Sequence, residues 1–282
     1  MSQQNNKGMA TASWAGEQGD KWQQYVKQFE GMIAPVGNAA LDHANFKPGE
    51  KVVDIGCGAG PTTFEIANRV GQEGQVTGLD VSQTLINTAN QRLAENGANN
   101  VEFICADAAA TDLSGYDCLF SRFGVMFFDD PYLAFSNMRK FLKPDGRARF
   151  ACWGPPPRNA WVFNFMDIVK QFVDIPPPVP NAPGPFAFGD KEYLHDILEK
   201  AGFRDIEFIA WEGPQILGGP GSTPQEAARF MIEATFVGDA IADQPDDIKQ
   251  KVLEEITAEL SKYVVGNNVE MSGCSWLVSA KA

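Results

Sequence analysis

Val52-Val53-Asp54-Ile55-Gly56-Cys57-Gly58-Ala59-Gly60 is the stretch from which the fold is read. A short apolar strand, 51–55, runs into three alternate glycines, and a helical pattern from Thr62 to Val70 begins just beyond them. Glycine permits φ angles closed to other residues and lets a ligand approach the backbone. The start of a helix adds free N–H groups at the same point. A turn of this kind at the carboxyl end of a parallel strand is where open α/β sheets bind ligands. A dinucleotide fold has glycines spaced G-x-G-x-x-G. Here the spacing is G-x-G-x-G, and Asp54 stands two residues before the first glycine. A carboxylate there repels a diphosphate and attracts an ammonium or sulfonium.

Working outward, strands and helices alternate. Val76 to Asp80 reads as a second strand, and Ser82 can cap a helix over 83–96 that stops at Gly97. Val101 to Ala106 and Tyr116 to Ser121 are further strands. Asp130-Pro131 opens a helix to Leu142, Lys143-Pro144-Asp145-Gly146 turns, and Arg147 to Trp153 is the fifth strand. This rhythm predicts βαβ crossovers in an α/β, doubly wound, seven-stranded, mostly parallel sheet. Upstream, Trp22, Tyr25, Val26, Phe29, Met32 and Ile33 recur at helical spacing between Trp14 and Ala44. Downstream, 154–189 is rich in proline and aromatics, with an apolar stretch from Trp161 to Val173. A helix over 190–201, a strand over 206–211, helical segments over 222–263 and a last strand over 269–280 follow. We expect a disordered tail over 1–12 and a single domain over 13–282. Within it, 13–45 forms a helical lid, 46–153 the core, and 154–189 and 222–263 a cover.

The chain has 282 residues, is 44% hydrophobic and carries a formal charge of -13. That balance fits a globular protein and disfavours a nucleic-acid partner, whose phosphates it would repel. The N-terminus lacks the basic and apolar regions of a secretory leader, and no run approaches the ~20 apolar residues of a membrane span. The cysteines at 57, 105, 118, 152 and 274 form no CxxC motif. A reduced, cytoplasmic protein with no metal and no membrane partner is expected; its oligomeric state stays open.

Two more acids end successive strands. Asp80 can accept hydrogen bonds from both hydroxyls of a ribose, and Asp107 from an adenine amino group. Any one of these acids alone would read as a helix cap or a loop charge; three at successive strand ends read as a site. The order of these motifs resembles the class I S-adenosylmethionine-dependent methyltransferases, with most likeness to the bacterial small-molecule branch that holds the ubiquinone/menaquinone C-methyltransferases. The resemblance covers Trp14 to about Trp211 well and the last strand loosely. It implies S-adenosylmethionine as cofactor. By it, Asp54, Gly56, Cys57 and Gly58 line the methionine moiety, Asp80 binds the ribose, and Val81 lies against the adenine. Asp107 and Ala108 meet the adenine edge, Ser121 lies beside the cofactor through its backbone, and Trp22 or Trp14 touches it from the lid. The resemblance also implies a last strand inserted antiparallel. Asp145-Gly146 stands where the family commonly has Gly-Gly, and 222–263 is longer than in minimal members.

Methyl transfer is a displacement at an activated carbon, so alignment and exclusion of water are the main tasks. A hydroxyl or carbon acceptor also needs a base. Only His43 and His195 are available, and both read as solvated helix residues; His195 and Arg122 are the candidate catalytic residues. Either the acceptor needs little deprotonation, as an amine or thiol would, or Asp, Glu or Tyr supplies the base. Arg122 could instead anchor an anionic acceptor or pair with a local carboxylate. Phe123, Phe127, Trp153 and Trp161 can wall an apolar acceptor pocket. The expected partner is a small, partly apolar acceptor. The alternatives are a protein or RNA substrate, or a protein that keeps the fold and uses the pocket without methylating.

Overall fold

The computed structural model describes residues 10–282. Expected disorder over 1–9 lies outside the described residues. Thr11 and Ala12 are not tail: they begin a first helix, α1 (Thr11–Trp14), and the Thr11 hydroxyl donates to the Phe127 carbonyl at 3.1 Å. The amphipathic N-terminal region is three helices, α1, α2 (Glu17–Gln24) and α3 (Val26–Ala44).

The core alternates β1 (Lys51–Ile55), α4 (Pro61–Val70), β2 (Gln75–Asp80), α5 (Gln83–Asn96), β3 (Val101–Cys105), β4 (Tyr116–Arg122), α6 (Pro131–Phe141) and β5 (Leu142–Trp153). The Ser82 hydroxyl accepts from Leu85 N and caps α5; Asp130 accepts from Leu133 N and caps α6. Then come α7 (Ala160–Val169), α8 (Lys191–Lys200), β6 (Arg204–Ile216), α9 (Pro224–Ala234), α10 (Phe236–Asp239), α11 (Asp246–Leu260), β7 (Val264–Val265) and β8 (Asn268–Lys281).

The strands lie in the order β3-β2-β1-β4-β5-β8-β6. β1 to β5 pair in parallel, and β8 runs antiparallel between β5 and β6. This is the doubly wound arrangement with one reversed strand. The two-residue β7 adds a short hairpin to the start of β8. β1 and β4 are central and buried almost throughout, as strands covered on both faces must be. The edge strands β3 and β6 are partly exposed along most of their length.

Some boundaries differ from the sequence reading. β5 starts at Leu142, because the Lys143–Gly146 segment stays extended; the β4–β5 register shifts between Tyr116 and Cys118 to absorb it. β6 runs to Ile216 because it follows β8 for most of its length. Right-handed crossovers put α4 and α5 on one face and α6 and α8 on the other. The direction of winding reverses between β1 and β4. The carboxyl ends of those neighbours therefore diverge around a crevice.

Candidate active site

At that crevice the chain turns sharply. Gly56, Gly58 and Gly60 all have positive φ, at 66°, 57° and 85°. The backbone N–H groups of Gly56 and Cys57 both donate to the Leu79 carbonyl, which ties the turn to the end of β2. Gly56 has no room for a side chain: a Cβ would lie 2.6 Å from Gly124 Cα. At Gly58 a Cβ would meet nothing within 4 Å, and this residue is in the wall of a cavity. The turn is a cradle whose open side a ligand can fill.

The glycine turn opens on a cavity that also reaches the N-terminal helices and the α9–α10 break. Gly56, Cys57, Gly58, Asp80, Val81 and Ala108 are all in its wall. Cys57 contributes backbone, since its thiol is buried and burial pushes its pKa up. Asp80 Oδ2 accepts from Gly58 N at 2.9 Å and Oδ1 from Ser82 N at 2.8 Å, so its carboxylate is held rigidly at the edge of the cradle. Burial raises its pKa against the pull of those bonds.

Three expected residues sit elsewhere. Asp54 is fully buried behind the turn and is not in the cavity wall. Its Oδ2 accepts from the hydroxyls of Thr62 and Thr63, both at 2.7 Å, which staples β1 to the first turn of α4. Its Oδ1 has no partner among the described residues. The sequence reading set this acid toward a ligand cation; in the structure it lies behind the turn. Asp107 is also outside the wall; its Oδ1 accepts from Ala109 N at 2.8 Å in the turn after β3. Ser121 is buried; its hydroxyl donates to the Ile55 carbonyl at 2.7 Å and accepts from Gly124 N at 3.2 Å, pinning β4 to the glycine turn.

Burial pushes the Asp54 carboxyl up to about 6. The folded protein then holds this proton more tightly than the unfolded chain, where an aspartate titrates near ~3.9. Stability from this group is greatest below about pH 4, falls as pH rises to about 6, and is level above that. Asp54→Asn should remove this slope. In urea unfolding, wild type should lose up to ~3 kcal/mol relative to the Asn variant between pH 4 and 7. A constant difference across that range would contradict the assignment.

The far half of the cavity is aromatic. Phe123 stacks on Trp153 at 4.5 Å, and Trp153 meets Trp161 edge-on at 5.6 Å. Phe123 holds a φ of 63°, a left-handed conformation that costs a non-glycine residue roughly 1–2 kcal/mol and is typical of functional sites. Phe127 lies 4.8 Å from Trp14, and Trp14 lies 5.6 Å from Trp22, which stacks on Phe29 at 3.9 Å. Both tryptophans line the cavity, so α1 and α2 form its roof. Thr235 and Phe236, at the break between α9 and α10, complete the wall. The sequence reading placed a cover here without naming them; their signal is the Ala-Thr-Phe interruption of an apolar helix. It also missed Gly124, whose need for glycine comes only from contact with Gly56.

Arg122 lies in the wall. His195 is on α8 beside Phe208, and His43 is half-buried at the end of α3; neither lines the cavity. Glu30, the other acid in the wall besides Asp80, is paired with Arg92 at 2.7 Å.

A family described as a methyltransferase domain matches residues 46–164. The nocamycin O-methyltransferase of Saccharothrix syringae is 27% identical over 256 residues, covering 84% of this chain and 87% of that protein. A ubiquinone/menaquinone biosynthesis C-methyltransferase of Teredinibacter turnerae is 25% identical over 185 residues, 61% of this chain and 74% of that one. Among solved structures, phosphoethanolamine N-methyltransferase 2 of Haemonchus contortus, in complex with S-adenosyl-L-methionine, shares the fold. Its TM-score is 0.52 at 20% identity, over 88% of this chain and 52% of that chain. The glycine turn, the strand order with its reversed β8 and these likenesses agree: residues 46–164 match a methyltransferase domain, and the chain is similar to S-adenosylmethionine-dependent methyltransferases.

Proposed function

We propose that the cavity holds S-adenosylmethionine over the carboxyl ends of β1, β2 and β4 and passes its methyl group to a small, partly apolar acceptor. The observation that carries this reading is the pairing of two unlike halves in one cavity. One half has the open side of Gly58 beside the fixed carboxylate of Asp80. The other is an uncharged wall of Phe123, Phe127, Trp153 and Trp161.

The cofactor supplies a methyl carbon already activated by a sulfonium. The chain's residues bind, orient and keep water out. Asp80 accepts from the ribose hydroxyls with its remaining lone pairs, Val81 and Ala108 flank the adenine, and Gly56 and Gly58 let the methionine part lie on the backbone. The aromatic wall takes up the acceptor and dries the site, and Trp14 and Trp22 close it from above. An acceptor atom held in line at contact distance gains most of its rate from that alignment.

The wall offers no free base among the described residues: no His or Tyr lines it, Glu30 is paired, and Asp80 is held by two N–H groups. This favours an acceptor that reaches the site already nucleophilic. His195→Ala should keep kcat/KM within about twofold, since removing a true general base costs ~100-fold or more. A thousand-fold loss would show that α8 reaches the chemistry.

One relative is an O-methyltransferase and another a C-methyltransferase, so the acceptor atom is left unassigned. The acidic chain repels RNA. Among the described residues no helix is long and apolar enough to cross a membrane. The test is to incubate the protein with methyl-labelled S-adenosylmethionine and separate pools of small metabolites, total protein and RNA. Label in an apolar metabolite together with S-adenosylhomocysteine is expected. Label confined to protein or RNA, or tight cofactor binding without any S-adenosylhomocysteine formed, would overturn the reading.

A further inference from the structure

The aromatic half of the cavity is a chain of rings that starts at Phe123, whose neighbour Gly124 packs on the glycine turn at Gly56. Phe123 stacks on Trp153 at 4.5 Å, Trp153 meets Trp161 at 5.6 Å, and Trp161 meets Phe236 at 5.9 Å. Phe236 also lies 6.4 Å from Phe186. Among the described residues its ring pairs with neither Phe123 nor Trp153, so it stands at the other end of the chain from the turn. The charged residues of the wall, Glu30, Asp80 and Arg122, belong to α3, β2 and β4. None is on the segments that carry Trp161, Phe186 and Phe236.

A break in an otherwise continuous apolar helix places Phe236 there. α9 ends at Ala234 and α10 begins at Phe236, and Thr235 between them is extended, with φ −125° and ψ 173°. Its hydroxyl donates to the Met231 carbonyl at 2.6 Å and accepts from Val237 N at 3.3 Å, so one side chain both closes α9 and caps α10. Gly238 passes so close to Ile232 that a Cβ there would collide with its carbonyl oxygen. Val237 is fully buried. Both flanks of the break are tied to the roof: Tyr25 Oη donates to Glu233 Oε2 at 2.6 Å, and Lys21 Nζ pairs with Asp239 Oδ1 at 3.3 Å. Each exposed tie is weak alone. With the cap and the close backbone contact they leave Phe236 little freedom to swing aside.

We propose that Phe236 is the end stop of the acceptor compartment: it meets an uncharged, ring-bearing end of the acceptor and sets how long that acceptor can be. This rests on the reading of the cavity above. Rings pack well against rings edge-on or offset, and a charge would be costly to bring among them. A side chain held in place at the end of an apolar pocket discriminates by volume, since a single methylene there is worth ~10- to 200-fold in selectivity. The whole ring of Phe236 therefore acts as a ruler for the acceptor, while the cofactor half of the cavity is untouched by it.

The experiment uses 2-naphthol and 2-hydroxyanthracene, which differ by one fused ring, with S-adenosylhomocysteine as the control. Each phenol is titrated with protein saturated in S-adenosylhomocysteine, and binding is read from the phenol's own fluorescence anisotropy. Phe236→Ala should shift the ratio of the two affinities by about tenfold or more toward the longer probe, and Phe236→Trp by about tenfold or more away from it. Calorimetry should find S-adenosylhomocysteine bound within about twofold of wild type in both. Phe236→Leu should shift the ratio in the same direction as Phe236→Ala by less, and it carries the test if Phe236→Ala folds poorly. A residue that only supports the fold would weaken both phenols and S-adenosylhomocysteine together, and that result overturns the proposal. So does an unchanged ratio in folded variants, or a shift in one direction for both Phe236→Ala and Phe236→Trp. Wild type that binds S-adenosylhomocysteine but neither phenol overturns the ring-bearing acceptor while sparing the cofactor reading. Wild type that does not bind S-adenosylhomocysteine brings down the cofactor reading and this one with it.

Discussion

Asp80→Ala is expected to weaken S-adenosylhomocysteine binding by about 100-fold or more, read by calorimetry, with the fold retained. Two effects add. In the proposed reading, the carboxylate at the end of β2 accepts from the two vicinal hydroxyls of the ribose. It also holds the glycine turn in place, since Oδ2 accepts from Gly58 N and Oδ1 from Ser82 N. Charge-assisted hydrogen bonds are worth ~1.5–3 kcal/mol each, so losing the ligand contacts and loosening the cradle together exceed ~3 kcal/mol in binding. Asp80→Asn separates the two, because it keeps an oxygen for one N–H and loses the charge; an intermediate affinity is expected. Unchanged affinity in Asp80→Ala would remove this residue from the site.

The second large effect contrasts two glycines two residues apart. Gly56→Ala should destabilise the fold by about 2–5 kcal/mol: a left-handed alanine costs ~1–2, and the overpacked contact ~1–3 more. The contact is with backbone, Gly124 Cα at 2.6 Å, so no side chain can swing away. Gly58→Ala meets nothing within 4 Å and should cost only the ~1–2 kcal/mol of its positive φ. Its new methyl group occupies the open side of the cradle, so cofactor affinity should drop by about tenfold or more while the protein stays folded. Urea unfolding and calorimetry on both variants give four numbers. Stability loss concentrated at Gly56 and affinity loss at Gly58 is the expected pattern. A Gly58→Ala protein that binds as wild type does would mean that the ligand does not lie on this turn.

A good part of this was legible in the chain. The alternation of apolar strands with capped helices predicts the parallel sheet, because each strand's burial is written in its own five to seven residues. The three glycines needing positive φ and the acid closing β2 are local features of the same kind. Trp153, Trp161, Phe123 and Phe127 stand out as aromatics that leave strands at the ligand-facing end. Asp54 lies outside the cavity wall for a definite reason: a residue's position in a strand gives its height in the sheet but not what covers it. Thr62 and Thr63, one helical turn on, fold back over its carboxylate and take it out of the cavity. Asp107 accepts from Ala109 N with one oxygen in the turn after β3.

The sequence by itself determined the layered α/β fold and the placing of a glycine turn and Asp80 at one crevice, since both follow from hydrophobic period, capping and glycine geometry within a few neighbouring residues. Only the tertiary structure decided which charges face the crevice. Gly37 stands 85 positions before Arg122 and makes room for it, Gly124 forbids a side chain at Gly56, and α1, α2 and the α9–α10 break close the roof over it. Those contacts join segments far apart in the chain, and packing between such segments leaves no periodic trace in either one.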